Sequence, residues 1–242
     1  DALRALVTAL ERENPVVALG ALAPAEVSHI LTTVHGAPAS PETVRSVLDA
    51  SAGLPLLVRA CMATAAPPED AARYALIERL RRVDEKTRDT LLITSLSLDL
   101  GPDDVAAALR LSSGEALDLV DRARAGGLAE PSHDRAFLRF VHDCVAQIAG
   151  TARHHDIETS LLHSQLELST LSVELAVRLA EHGLRDDRLA GALTDHAVRA
   201  HAQPARAARL YRAAVRAGSA ALSAQLADAL TLAGDCRTAG PL

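Results

Sequence analysis

Aromatic side chains are nearly missing: two Tyr, two Phe and no Trp in 242 residues. Sandwiches and barrels draw on aromatic and β-branched residues to fill their pleated surfaces, so this scarcity argues against them. The hydrophobic share is nevertheless 49%, supplied mainly by Ala, Leu and Val. That composition suits closely packed helices and is too apolar for a disordered chain. Lysine occurs once, as Lys86, so nearly all positive charge is Arg. The net charge of −6 argues against a basic nucleic-acid surface over the whole chain. Cys61, Cys144 and Cys236 are far apart and form no CxxC spacing, which leaves neither a disulfide framework nor a zinc ribbon. They read as thiols in a reducing compartment. No run of about 18 apolar residues occurs, and no charged-then-apolar leader precedes the first helical pattern. The expectation is a cytoplasmic chain with no membrane partner. Opening at Asp1 inside a helical pattern, it reads as a section of something longer.

Catalytic signatures are missing as well. No GxxxxGK[ST], GxGxxG, HExxH or GxSxG is present, so the chain is not expected to act as an enzyme by itself, and whether a longer parent is an ATPase stays open.

What is present is helical. Leu3, Leu6, Val7 and Leu10 fit a helix over 2–13, stopped by Asn14-Pro15, and Val16–Leu19 fits a short buried strand. Pro24-Ala25-Glu26 opens a helix that Gly36 stops. Ser40-Pro41-Glu42 combines a cap, a first-turn proline and an acid. Gly53-Leu54-Pro55 breaks one helix and starts another, and Ala66-Pro67-Pro68-Glu69-Asp70 reads as a linker. Three domains follow: 1–67, 68–150 and 151–242.

In 68–150, short helices at Thr87–Leu92, after Asp103-Asp104 and over Ser113–Ala125 precede two short strands, Leu128–Glu130 and Ala136–Val141. That is the element order of a winged helix-turn-helix with a small β-hairpin. Its candidate second helix carries Glu115, Asp118 and Asp121 beside Arg122 and Arg124. Acids there repel phosphate, so direct DNA binding is not expected. Beyond Gly150, Leu161, Leu175, Leu189, Leu210 and Leu226 mark successive helices of a tetratricopeptide-like α-solenoid. Arg206, Arg209, Arg212 and Arg216 line one side of a helix, either as a solvated face or as a docking surface for acids. The fold expected is mainly α.

The ten histidines raise the question of metal. A helical chelate uses i, i+4 pairs. His154 and His155 are adjacent, His155 and His163 are eight apart, and His196 and His201 are five apart. No His–His pair fits, and no metal is expected.

Five segments, in order, resemble bacterial signal-transduction ATPases with numerous domains (the STAND class), specifically large LuxR-type and antibiotic-regulatory-protein-type transcription regulators. Leu19–Val27 is similar to the L-x-L-x-x-L-x-x-x-E-V segment opening their lid. Ser51-Ala52-Gly53-Leu54-Pro55-Leu56 resembles S-G-G-N-P-L, with Leu54 where the family has Asn and Ala52 where it has Gly. Ala125-Gly126-Gly127-Leu128 resembles the A-G-L before the wing, Phe140–Val145 resembles F-x-H-D-L-V, and Ala205–Val215 resembles A-A-x-x-L-x-x-A of the arm. The resemblance implies a region C-terminal to a P-loop domain: lid, winged helix and the start of a helical-repeat arm.

It also implies ADP/ATP as ligand, with Mg only if the P-loop domain is present. Gly53 and Pro55 would lie at the adenine, and His142 would sense the β-phosphate of ADP. Asp143 would cap the next helix or orient His142. The implied partners are the chain's own N-terminal NTPase domain, a DNA-binding domain outside this chain, and a protein effector or second copy engaged through the arm. The alternative is a helical-repeat interaction scaffold in which Pro55 and His142 are only structural.

Overall fold

The computed structural model describes residues 20–130, 133–219 and 222–235. The helix expected over 2–13, the strand at 16–19 and Cys236 lie outside them. The described residues form thirteen α-helices and no strand. None of these helices is long and apolar enough to cross a membrane. Contacts divide the chain after Ala75 into two compact units, residues 1–75 and 76–242.

The first unit holds α1 (Pro24–His35), α2 (Pro41–Ser51) and α3 (Pro55–Ala63), each packed on the other two. Their borders follow the local chemistry. Pro24 begins α1, where its missing N–H costs nothing, and Glu26 reaches back to the Ala23 N–H at 2.7 Å. Gly36 closes α1 at φ +70°, a conformation that suits glycine. The Ser40 hydroxyl accepts from the Thr43 N–H at 3.1 Å and caps α2. Val27, Leu31, Val44, Val47, Leu57 and Val58 form the buried face.

The division falls inside α4 (Pro68–Leu80). The second unit continues with α5 (Glu85–Thr94), α6 (Pro102–Leu109), α7 (Ser113–Ala125), α8 (Arg135–Ala149) and α9 (Thr151–Glu167). Helices α5, α6 and α7 pack on one another. Helix α8 lies on α5, and α9 packs on α5, α6 and α8. The N-cap of α6 is Gly101, and Asp104, at the third helical position, supplies the side-chain cap by accepting from the Gly101 N–H at 2.7 Å.

The expected β-hairpin is corrected here, since no strand occurs among the described residues. Residues 136–141 belong to α8. Asp134 caps that helix by accepting from the Phe137 N–H at 2.7 Å. Phe137, Leu138, Val141, Cys144 and Val145 then recur with the helical period and are all buried. Fifteen residues of that period outweigh a six-residue apolar run that either structure could accommodate.

The remaining helices are α10 (Val173–Glu181), α11 (Asp187–Arg199), α12 (Pro204–Arg216) and α13 (Ser223–Leu232). Each packs on the next, and α10 also touches α12. Small side chains permit the close approach: Ala176, Ala197, Ala207, Ala208, Ala213 and Ala214 are all buried. Of the arginine row on α12, Arg209 lies 3.7 Å from Glu174 on α10, so part of that face is used within the chain.

Candidate functional site

Gly53 and Pro55 belong to the first unit and His142 to the second. Between α2 and α3 the backbone turns through two left-handed residues, Ala52 at φ +48° and Gly53 at φ +72°. The Gly53 carbonyl accepts from the Leu22 N–H at 2.8 Å. A Cβ on Gly53 would stand 2.6 Å from the Leu22 carbonyl oxygen, against backbone that cannot swing away. Gly53→Ala is therefore expected to destabilise the α1–α3 unit by about 2 kcal/mol. Amide hydrogen exchange in α1–α3 checks this and should quicken by about 30-fold. Pro55 occupies the first position of α3 with its ring exposed.

His142 is buried within its own unit. It lies on the inner side of α8 with its side chain 1% exposed, while Asp143 faces solvent. Adjacent residues on a helix point about 100° apart, which separates the pair. Asp143 sits in mid-helix, so it caps nothing. What orients His142 is the end of α5. Its Nδ1 lies 3.1 Å from both the Leu92 carbonyl and the Ser95 Oγ. A carbonyl can only accept, and the Ser95 hydroxyl already donates to the Leu91 carbonyl at 2.5 Å. Nδ1 therefore carries the proton, and Nε2 presents a lone pair to the interior.

That lone pair enters a cluster. His154 Nε2 lies 3.0 Å from His142 Nε2. Glu158, one turn along α9 from His154, brings its Oε1 to 3.1 Å from His154 Nε2, 2.5 Å from His182 Nδ1 and 4.0 Å from His142 Nε2. His182 caps the C-terminus of α10, and its ring stacks on His142 with centroids 4.8 Å apart. Glu158 is buried, and His154 and His182 are about one-fifth exposed at the side chain. Three consecutive helices thus converge on one carboxylate oxygen.

The electrostatics follow from this packing. Burial opposes ionisation of Glu158, but hydrogen bonds from His154 and His182 outweigh it and bring the carboxyl down to about 2. Burial, reinforced by the neighbouring His182 and His154, holds the His142 imidazole at about 3, so it is neutral at neutral pH. Arg178 on α10 is buried and donates to the Ser95 and Leu96 carbonyls. It ties α10 to the same end of α5. Arg153 pairs with the buried Asp89 across α9 and α5.

Sequence reasoning singled out His142 but not His154, Glu158 or His182. The signal that could have found part of the cluster is the i, i+4 spacing of His154 and Glu158 on one helix face. The remaining partners meet only through tertiary packing. Cys61 and Cys144 are both buried thiols. No protein-family model matches the chain, and neither a curated protein nor a solved structure matches it.

Proposed function

We propose that this chain is a regulatory region of a STAND-type, ATP-binding transcriptional regulator: a lid, a helical module and the first part of a helical-repeat arm, rearranged by ADP or ATP held in an adjoining P-loop domain. One observation carries the reading. Two of the family-like segments, Leu19–Val27 and Ser51–Leu56, are hydrogen-bonded to each other through Leu22 and Gly53, with the Pro55 ring exposed beside that junction. A rigid, flat apolar ring with no N–H suits the edge or face of an adenine. The stacking of α10–α13 supports a repeat-type arm, which would engage a protein effector or a second copy.

In this reading the ligand is ADP or ATP, bound with Mg by the P-loop domain, and Gly53 and Pro55 lie at the base. His142 senses the diphosphate only in a state where its ring has left the α5–α9–α10 cluster. ADP and ATP differ only in phosphate, so the switch needs a differential contact there. The regulator acts in the cytoplasm, reads DNA through a separate domain, and does not bind DNA through this section.

The test is the reading frame upstream of the Asp1 codon. A GxxxxGK[ST] segment encoded in frame is the expected result. A frame with no P-loop would overturn the reading.

A second reading is favoured by the burial of His142, both of whose ring nitrogens are engaged inside the unit. Here the chain is a helical-repeat interaction scaffold without a nucleotide role. It predicts that Pro55→Ala leaves nucleotide binding by the intact protein unchanged, whereas the first reading predicts weaker binding.

A further inference from the structure

We infer that His142, His154, Glu158 and His182 form a binding site for one divalent transition-metal ion of the zinc class. Each offers one ligand atom, and the four atoms lie within 4.8 Å of one another. Zinc bonds of about 2.0–2.1 Å in a tetrahedron set ligand atoms about 3.3–3.4 Å apart. The separations of 3.0, 3.1 and 4.0 Å among His142, His154 and Glu158 bracket that value, and the His182–Glu158 contact at 2.5 Å opens by less than an ångström. The widest separation in the set, up to 4.8 Å, must close as the rings turn toward the ion.

The surroundings suit a metal. A ligating imidazole uses one nitrogen for the ion and gives its other N–H to a carbonyl or carboxylate, which fixes the ring and its tautomer. His142 already has this arrangement: Nδ1–H goes to Leu92 O and Ser95 Oγ, and the Nε2 lone pair faces the cluster. His154 and His182 now donate their inward N–H groups to Glu158. To ligate, each ring carries its proton on the other nitrogen and turns the inward nitrogen's lone pair to the ion.

Three nitrogens and one carboxylate oxygen at tetrahedral spacing favour zinc among abundant divalent ions, with cobalt as a faithful substitute. Magnesium and calcium prefer more oxygen ligands. Four protein ligands leave no open position, so the site is structural. It joins α8 to α9 and α10, and it stands without the nucleotide reading, because His142 cannot ligate the ion and contact a diphosphate in the same state.

The experiment uses the chain without a polyhistidine tag, stripped by a chelator and then dialysed against zinc or cobalt with no nucleotide present. The expected result is about one zinc retained per chain and, with cobalt, the intense visible absorption of a tetrahedral site. Zinc at a hundredfold excess over its dissociation constant should raise the Tm by about 5–10 °C. The double variant His154→Ala/His182→Ala should lose all three effects, and His163→Ala/His201→Ala should keep them. Wild-type protein that keeps no zinc, or that gives only the weak absorption of six-coordinate cobalt, overturns the site even if the double variant does not fold. Equal zinc binding by a folded double variant overturns it as well.

Discussion

Replacing Glu158 by leucine will lower the stability of the metal-free second unit by on the order of 3 kcal/mol, and Glu158→Gln will cost about half of that. The carboxylate is nearly fully buried and is the common acceptor for His154 and His182. Leucine fills similar volume but leaves the inward His182 N–H without its acceptor and His154 with only the His142 Nε2 lone pair. Their partial exposure lets water recover some of the loss, which keeps the cost at the lower end of the range for broken buried pairs. Glutamine preserves the shape and one acceptor oxygen, so only the charge-assisted part of each hydrogen bond is lost. Urea unfolding followed by circular dichroism in the presence of a chelator measures both variants. A leucine variant as stable as the wild type would mean that Glu158 does not hold these rings together.

Acid will destabilise the same unit in two stages. The unfolded chain protonates His142 near its ordinary 6.5, whereas the folded chain resists until about 3. Between those values the unfolded state binds the extra proton, so stability falls as pH falls, by up to about 1.4 kcal/mol per pH unit. From pH 7 to 4.5 the His142 contribution is about 2.5 kcal/mol. Glu158 acts lower down. Its carboxyl protonates near 4.5 when unfolded and at about 2 when folded, so the stability it supplies is present above 4.5 and is lost as pH falls toward 2. Urea midpoints at successive pH values, again with chelator, should show both limbs. His142→Gln should flatten the upper limb and leave the lower one. An unchanged upper limb in that variant would remove His142 as its source.

Helix borders were the part of the fold most legible in the sequence, because their causes are local. Pro24, Gly36, Ser40-Pro41 and Gly53-Pro55 each act within a few residues, and each ends or begins a helix where its chemistry requires. The hairpin expected at Leu128–Glu130 and Ala136–Val141 shows where a short window misleads. An apolar run of six residues fits a strand and a helix equally. The decision lies further along, in the Asp134 cap and in the return of the same face at Cys144 and Val145.

For the candidate site, sequence could single out a histidine but not its company. A search among His–His spacings passes over His154 and Glu158, the one pair of the cluster that shares a helix. His142 and His182 join them only because α8 and α10 both pack on α9. Nor does an isolated F-V-H-D segment tell which of two adjacent side chains turns inward. That depends on Leu92 and Ser95, nearly fifty residues away in the chain. Gly53 was legible as a breaker, but its close approach to Leu22 was not, since it arises from the packing of α1 against α3.

Under the proposed function, nucleotide governs the arrangement of this helical region. Hydrogen exchange on the intact protein, loaded in turn with ADP and with ATP, tests this most directly through the amides of α8 around His142 and of α10 around His182. The account predicts protection that differs between the two nucleotides at those helices, with α11–α13 changing less within themselves. Identical exchange in α8 and α10 with ADP, with ATP and with no nucleotide would contradict it and leave the interaction scaffold as the function.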